Sequence, residues 1–120
     1  MRTDTASPPA RRTSAAHGAV PRLDVAVLRA LADPTRQAIV ERLGGEQLCV
    51  CHLVADLGLP QPLVSHHLRI LREAGLVEGE RFRYWTYYRL RPEVLDRLAS
   101  TLRTLASMAP TADQRRRPCC

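Results

Sequence analysis

The chain has no lysine: all 18 of its basic residues are arginine. It has no apolar run long enough to span a bilayer, and its N-terminus lacks the apolar core of a secretory signal. No membrane partner is expected, and the expected location is the cytoplasm. Cysteine is scarce as well. The four cysteines fall in two close pairs, Cys49/Cys51 and Cys119/Cys120. Close pairs in a chain without a leader do not read as a disulfide framework; they point to ion binding or redox chemistry. No internal repeat is present.

What remains is enough for one domain with a modest core: 120 residues, 45% of them hydrophobic. The net charge of +6 sits mostly in the tails. Residues 1–22 set Arg2, Arg11, Arg12 and Arg22 against Asp4, and residues 110–120 set Arg115, Arg116 and Arg117 against Asp113. Between them, basic and acidic residues nearly balance. A basic chain suits a polyanionic partner, but the tails taken alone read as solvated ends.

Residues 1–20 are rich in Pro, Ala, Ser, Thr and Arg and are expected to be a disordered tail. A folded domain is expected over 21–108, and a flexible basic tail carrying Cys119-Cys120 over 109–120. Val27, Leu28 and Leu31 have helical spacing. Asp33-Pro34 is an N-cap followed by proline at the first helical position, and Gly44-Gly45 ends that second helix. A third helix is expected after Cys51, with Leu53, Val54 and Leu57 inward. Gly58-Leu59-Pro60 forms a turn. A fourth helix opens at Gln61-Pro62, buries Val64, Leu68 and Leu71, and closes at Gly75.

Helices three and four around a short glycine turn make a helix-turn-helix. Residues 76–90 then alternate in the manner of strands, with the break placed at Glu78-Gly79-Glu80. A hairpin directly after a helix-turn-helix is a wing. Arg91-Pro92 starts the last helix. Its Leu95, Leu98, Leu102 and Leu105 are spaced as a heptad seam, read as a dimerisation face in preference to packing on its own domain. The expected fold class is mainly α with a small β-hairpin: a dimeric winged helix-turn-helix.

Off the buried stripe of the fourth helix lie Gln61, Leu63, Ser65, His66, Arg69 and Arg72. Ser, Gln and Arg are types that reach base edges and phosphates from a major-groove helix. Arg81 and Arg83 are candidate phosphate contacts near the wing; a solvated hairpin tip fits them equally well. His66 and His67 point about 100° apart on a helix, which argues against a shared metal ion. His67 falls near the buried seam.

Four motifs occur in order: Ala32-Asp33-Pro34-Thr35-Arg36, Leu48-Cys49-Val50-Cys51-His52-Leu53, Gln61-Pro62-Leu63-Val64-Ser65-His66-His67-Leu68 and Trp85-Thr86-Tyr87-Tyr88-Arg89-Leu90. Together they resemble the ArsR family of bacterial metalloregulators, above all its arsenic-responsive repressors. The resemblance covers roughly residues 23–105. It implies a homodimer that binds an imperfect palindrome in double-stranded operator DNA when metal-free. It also implies release on binding As(III) or Sb(III), with no constitutive cofactor. Ser65 and His66 fall where the family reads DNA.

Soft As(III) and Sb(III) select thiolates over oxygen or imidazole. Cys49 and Cys51 lie at the entry to helix three, where free N–H groups and the helix dipole favour thiolate. Residues i and i+2 of a regular helix diverge by about 200°, so convergence on one ion predicts that the entry bends or unwinds. Small buried cysteines with no ligand role are the plain alternative.

The family pattern places a third cysteine where Val54 stands, so Cys119 or Cys120 is a candidate third ligand, with solvent or a small thiol as the other option. His52 reads as a poor ligand for a soft ion. Arsenic-responsive members carry glycine at the wing tip, where this chain has Arg83. Zinc-sensing relatives use Asp and His on the last helix; here Asp96 has no histidine beside it.

Two further regulatory readings keep the same fold: a thiol-redox switch, or a sensor of cadmium or lead. A Cys51/His52 nucleophile–base pair is set aside, because sequence neighbours rarely meet correctly and no third catalytic member is evident. The chain is therefore read as a non-enzyme. A dimerisation adaptor that never binds DNA is the remaining alternative.

Overall fold

The computed structural model describes residues 22–114 and 116–119. The expected disordered tail over 1–20 and Cys120 lie outside the described residues. The element order is α1 (Val25–Leu31), α2 (Pro34–Leu43), β1 (Leu48–Cys49), α3 (Val50–Leu57), α4 (Gln61–Glu73), β2 (Val77–Phe82), β3 (Trp85–Leu90) and α5 (Pro92–Met108). Leu23–Ser100 form one compact unit, and the described residues from Thr101 onward belong to a second.

Helix starts follow local capping chemistry. Asp24 accepts from the N–H groups of Ala26 and Val27 and starts α1. Asp33 accepts from the Arg36 N–H at 3.0 Å, with Pro34 at the first position of α2. The turn between α3 and α4 rests on Gly58, whose φ of 67° is left-handed and free of cost only for glycine. Pro62 sits in the first turn of α4, where its missing N–H removes no helical bond.

The core is aliphatic. Ile39 from α2, Leu53 from α3, Val64, Leu68 and Leu71 from α4, and Leu76 and Val77 at the root of β2 are each at most 1% exposed. Burial of each large side chain stabilises the fold by about 1.5–3 kcal/mol, an upper range once a compact unfolded chain is considered. The stripe expected on α4 is the buried one, with His67 added to it at 9% exposed. On α5, Val94 is buried, and Leu95 and Leu98 pack partly against the core.

Three local expectations are corrected. Helix α3 begins at Val50, so Cys51 lies inside it; Cys49, not a later residue, is the N-cap. Glu78-Gly79-Glu80 lie within β2, and the strands instead turn at Arg83-Tyr84, between the paired Phe82 and Trp85. The hairpin also has company. The two-residue strand β1 pairs antiparallel with β3, giving a three-stranded sheet in the order β1-β3-β2. The centre of the wing sheet is therefore tied to the chain segment that enters α3.

Candidate functional site

Cys49 ends β1 and caps α3, with an extended backbone at φ −91° and ψ 171°. Cys51 stands in the first turn of the helix. The two Sγ atoms lie 2.7 Å apart. Divergence by about 200° applies only when both residues are helical, and Cys49 is not. The backbone leaves regular helix at Cys49, as convergence of the pair requires: the extended cap brings the sulfurs together, and α3 is regular from Val50.

His52 completes the cluster. The Cys49 N–H donates to His52 Nδ1 at 3.1 Å, satisfying one of the donors left free at a helix start. The Cys49 Sγ lies 3.3 Å from the same nitrogen. Ligand atoms of Cys49, Cys51 and His52 all lie within 4.8 Å of one another. Sequence reasoning gave His52 no part in the site. The available signal was its position three residues after the cap, where a Glu or Gln closes a capping box. Its ring also lies 6.2 Å from that of Tyr87 on β3.

The two thiols differ in exposure and acidity. Cys49 is buried and Cys51 exposed. Burial pushes the Cys49 thiol up, but hydrogen bonds from the Cys51 thiol and from the backbone N–H groups of His52 and Cys51 outweigh it, so Cys49 ionises below the usual thiol range. The hydrogen bond to Cys49, then desolvation and the Cys49 charge, raise Cys51. The pair therefore loses its first proton readily and holds the second, an arrangement suited to a soft cation that replaces both.

Cys119 is a free, exposed cysteine in the second unit, and Cys120 lies outside the described residues.

On α4, all six residues expected to face DNA are exposed: Gln61, Leu63, Ser65, His66, Arg69 and Arg72. Among the described residues, neither Arg69 nor Arg72 is ion-paired. Arg81 and Arg83 are exposed near the tip of the hairpin. Arg89, by contrast, is paired to Glu78 across the strands. The opposite, buried face of α4 is fixed by a second polar cluster. Arg36 donates from Nε to the Ala30 carbonyl at 2.7 Å and from Nη1 to His67 Nδ1 at 3.1 Å. Asp33 stands 4.0 Å from the same imidazole nitrogen. Burial holds the His67 pKa below the ordinary imidazole value. This cluster ties α4 to α2 and to the end of α1.

The seam on α5 divides. Leu95 and Leu98 are half-buried on the first unit, whereas Leu102 is 48% exposed and Leu105 half-buried in the second.

Residues 33–79 match the family described as "Bacterial regulatory protein, arsR family". The chain is 56% identical over 64 residues to the HTH-type transcriptional repressor SmtB of Mycobacterium tuberculosis, covering 53% of this chain and 47% of the relative. It is 48% identical over 69 residues to the arsenic resistance transcriptional regulator ArsR1 of Pseudomonas putida, covering 57% and 54%. The chain belongs to the ArsR family.

Its fold agrees with the homodimeric winged helix-turn-helix DNA-binding domain Mb0332 of Mycobacterium bovis. The TM-score to that protein, described as a possible ArsR-family transcriptional regulator, is 0.58 at 29% identity, covering 69% of this chain and 77% of that one. The chain spans about half the length of the first curated ArsR-family relatives it matches. Among the described residues, no helix is long and apolar enough to cross a membrane.

Proposed function

We propose that the chain is a homodimeric, cytoplasmic transcriptional repressor that binds operator DNA and releases it when Cys49 and Cys51 take up As(III) or Sb(III). The observation that carries the reading is the 2.7 Å approach of the two sulfurs at the cap of α3. Two thiolates on one side of a helix entry suit a soft trivalent ion. The third position falls to Cys119 or Cys120, or to solvent or a small thiol. Tethering such a ligand costs loop-closure entropy that grows slowly with length.

DNA is read from the exposed face of α4. Gln61, Ser65 and His66 reach base edges, Leu63 makes apolar contact, and Arg69, Arg72, Arg81 and Arg83 contact phosphates. Leu95, Leu98, Leu102 and Leu105 supply the dimer seam, and a two-fold dimer calls for an imperfect palindrome.

Release follows from where the ion acts. Drawing both sulfurs onto an ion competes with the contacts that Cys49 makes to His52 Nδ1. Those contacts brace the start of α3, and α3 braces the recognition helix. The same residue pairs with Tyr87 in the wing sheet. Loss of the cap thus reaches both halves of the DNA-binding surface.

A second reading rests on the same distance. Sulfurs this close can form a disulfide: a hydroperoxide takes two electrons from the two thiols, the S–S bond forms, and water and an alcohol leave with the protons. The deciding experiment titrates the protein–promoter complex with arsenite, antimonite, cadmium, lead and peroxide. Release by arsenite at stoichiometric amounts, lost in Cys49→Ser/Cys51→Ser, supports the first reading. Release by peroxide alone supports the second.

A further inference from the structure

The chain has one Phe, one Trp and three Tyr. None is in the buried core, which is aliphatic. Instead Phe82, Tyr84 and Trp85 gather at the hairpin tip, exposed to 59%, 87% and 56%. Large aromatic side chains left in water at one spot contribute little to folding and mark a contact surface. Among the described residues, neither Tyr84 nor Trp85 stacks on another ring, whereas Phe82 rests edge-on against Tyr87 at 6.3 Å.

The charge at this tip selects the partner. Arg81 and Arg83 flank the aromatic residues, and the Arg83 guanidinium lies over the Phe82 ring at 5.4 Å. Arg83 is the only non-glycine among the described residues with a positive φ, 59°. The tip thus keeps a large cation at a position where glycine relieves strain. Only Ala74, Gly75 and Leu76 separate α4 from β2, so the hairpin leaves directly from the recognition helix. A narrow two-residue turn carrying aromatic and arginine side chains matches the minor groove, roughly 6 Å wide, with its high negative potential.

We propose that the wing tip is an aromatic wedge: Tyr84 enters the minor groove of duplex DNA and partly unstacks a base step, bending the duplex, while Arg81 and Arg83 hold the flanking phosphates. Trp85 and Phe82 form the base of the wedge. The inference rests on the DNA-binding reading above and adds the inserted side chain and the deformation. Apolar and aromatic wedges of this kind open base steps and kink the duplex by tens of degrees.

Trp85 is the only tryptophan, so its emission reports the tip alone. The test uses the full chain and a short duplex from its promoter region, end-labelled for energy transfer. Binding is expected to quench Trp85 and to bring the duplex ends closer. Tyr84→Ala, at a side chain too exposed to unfold the domain, is expected to abolish most of the bend and to weaken binding by roughly tenfold, while Tyr84→Phe keeps both. Ser65→Ala on α4 is expected to weaken binding with the bend retained in the bound fraction. A gel-shifted complex whose Trp85 emission is unchanged, or whose duplex is straight, overturns the wedge and leaves DNA binding standing. Equal binding and bending by Tyr84→Ala overturns it as well. A duplex that the wild type does not shift at all overturns the DNA reading and the wedge with it.

Discussion

Cys49 and Tyr87 are cross-strand partners in the pairing of β1 with β3. Cys49 is also the N-cap of α3. One residue therefore closes a strand, opens a helix and presents a thiol. Its neighbours on the two sides are the helix-turn-helix and the central strand of the wing sheet. Chemistry at this sulfur has a short covalent and hydrogen-bonded route to both.

The thiols are accordingly expected to separate from the fold in mutants. Cys49→Ser keeps an N-cap side chain, and serine is a preferred cap, so its stability should stay within about 1 kcal/mol of wild type. Cys51→Ser, at an exposed position, should change stability less. Both should still shift promoter DNA, and both should lose release by arsenite. Thermal melts and gel shifts with and without arsenite check this; retained release in the double serine variant would move the ligand site elsewhere.

His67 gives the recognition helix a pH dependence with a definite sign. Burial lowers its pKa below the ordinary 6.5, with Asp33 pulling the other way and Arg36 and His66 reinforcing the drop. The unfolded chain therefore takes up this proton more readily than the folded chain as pH falls. Stability from this group is fully present above about pH 6.5 and falls as pH drops below that value toward the folded pKa. Thermal melts at about pH 7.5 and about pH 5.5 should show the loss, and His67→Gln, which keeps an acceptor for Arg36 without the titration, should shrink it. An equal pH dependence in that variant would show that His67 is not its source.

Arg83 occupies a turn position with φ of 59°, and it is the first of two residues between Phe82 and Trp85. Glycine is favoured at the first position of such hairpin turns. Arg83→Gly should stabilise the domain by about 0.5–1 kcal/mol, the relief of a left-handed side chain less the lost contact with Phe82. It should weaken DNA binding and lower its salt slope by about one unit. Urea denaturation and a salt series of gel shifts measure the two effects.

The order of the helices α2, α3 and α4 was legible because its punctuation is local. Asp33-Pro34, Gly58 and Pro62 each act within one turn of chain, and the α4 stripe follows from spacing alone. The hairpin was misjudged at Gly79, where glycine answers crowding and not a turn. A Cβ there would lie 3.0 Å from both Thr86 and Tyr88, the side chains across the strand. The true turn, Arg83-Tyr84, has no residue that announces it. Strand β1 is two residues long, and its partner lies far along the chain, so no periodicity could show it. The thiol pair was visible as residue types. Its convergence, and the part of His52, depended on an extended cap that cysteine rarely signals.

The exposed end of the α5 seam makes the dimer testable without disturbing the core. Leu95 and Leu98 already pack partly on their own core, so substituting them would confound folding with association. Leu102 is 48% exposed and has no such duty. In a two-fold interface each substitution acts twice. Leu102→Asp places two carboxylates against an apolar seam, and loss of two leucine contacts alone should raise the dimer dissociation constant by about a hundredfold. Sedimentation equilibrium should show the shift toward monomer, while the thermal unfolding of the monomer changes little. On the proposed palindromic operator, binding should fall with dimer population, because one protomer engages only one half-site. A variant that remains dimeric at the same concentrations would place the dimer contact on another face of the chain.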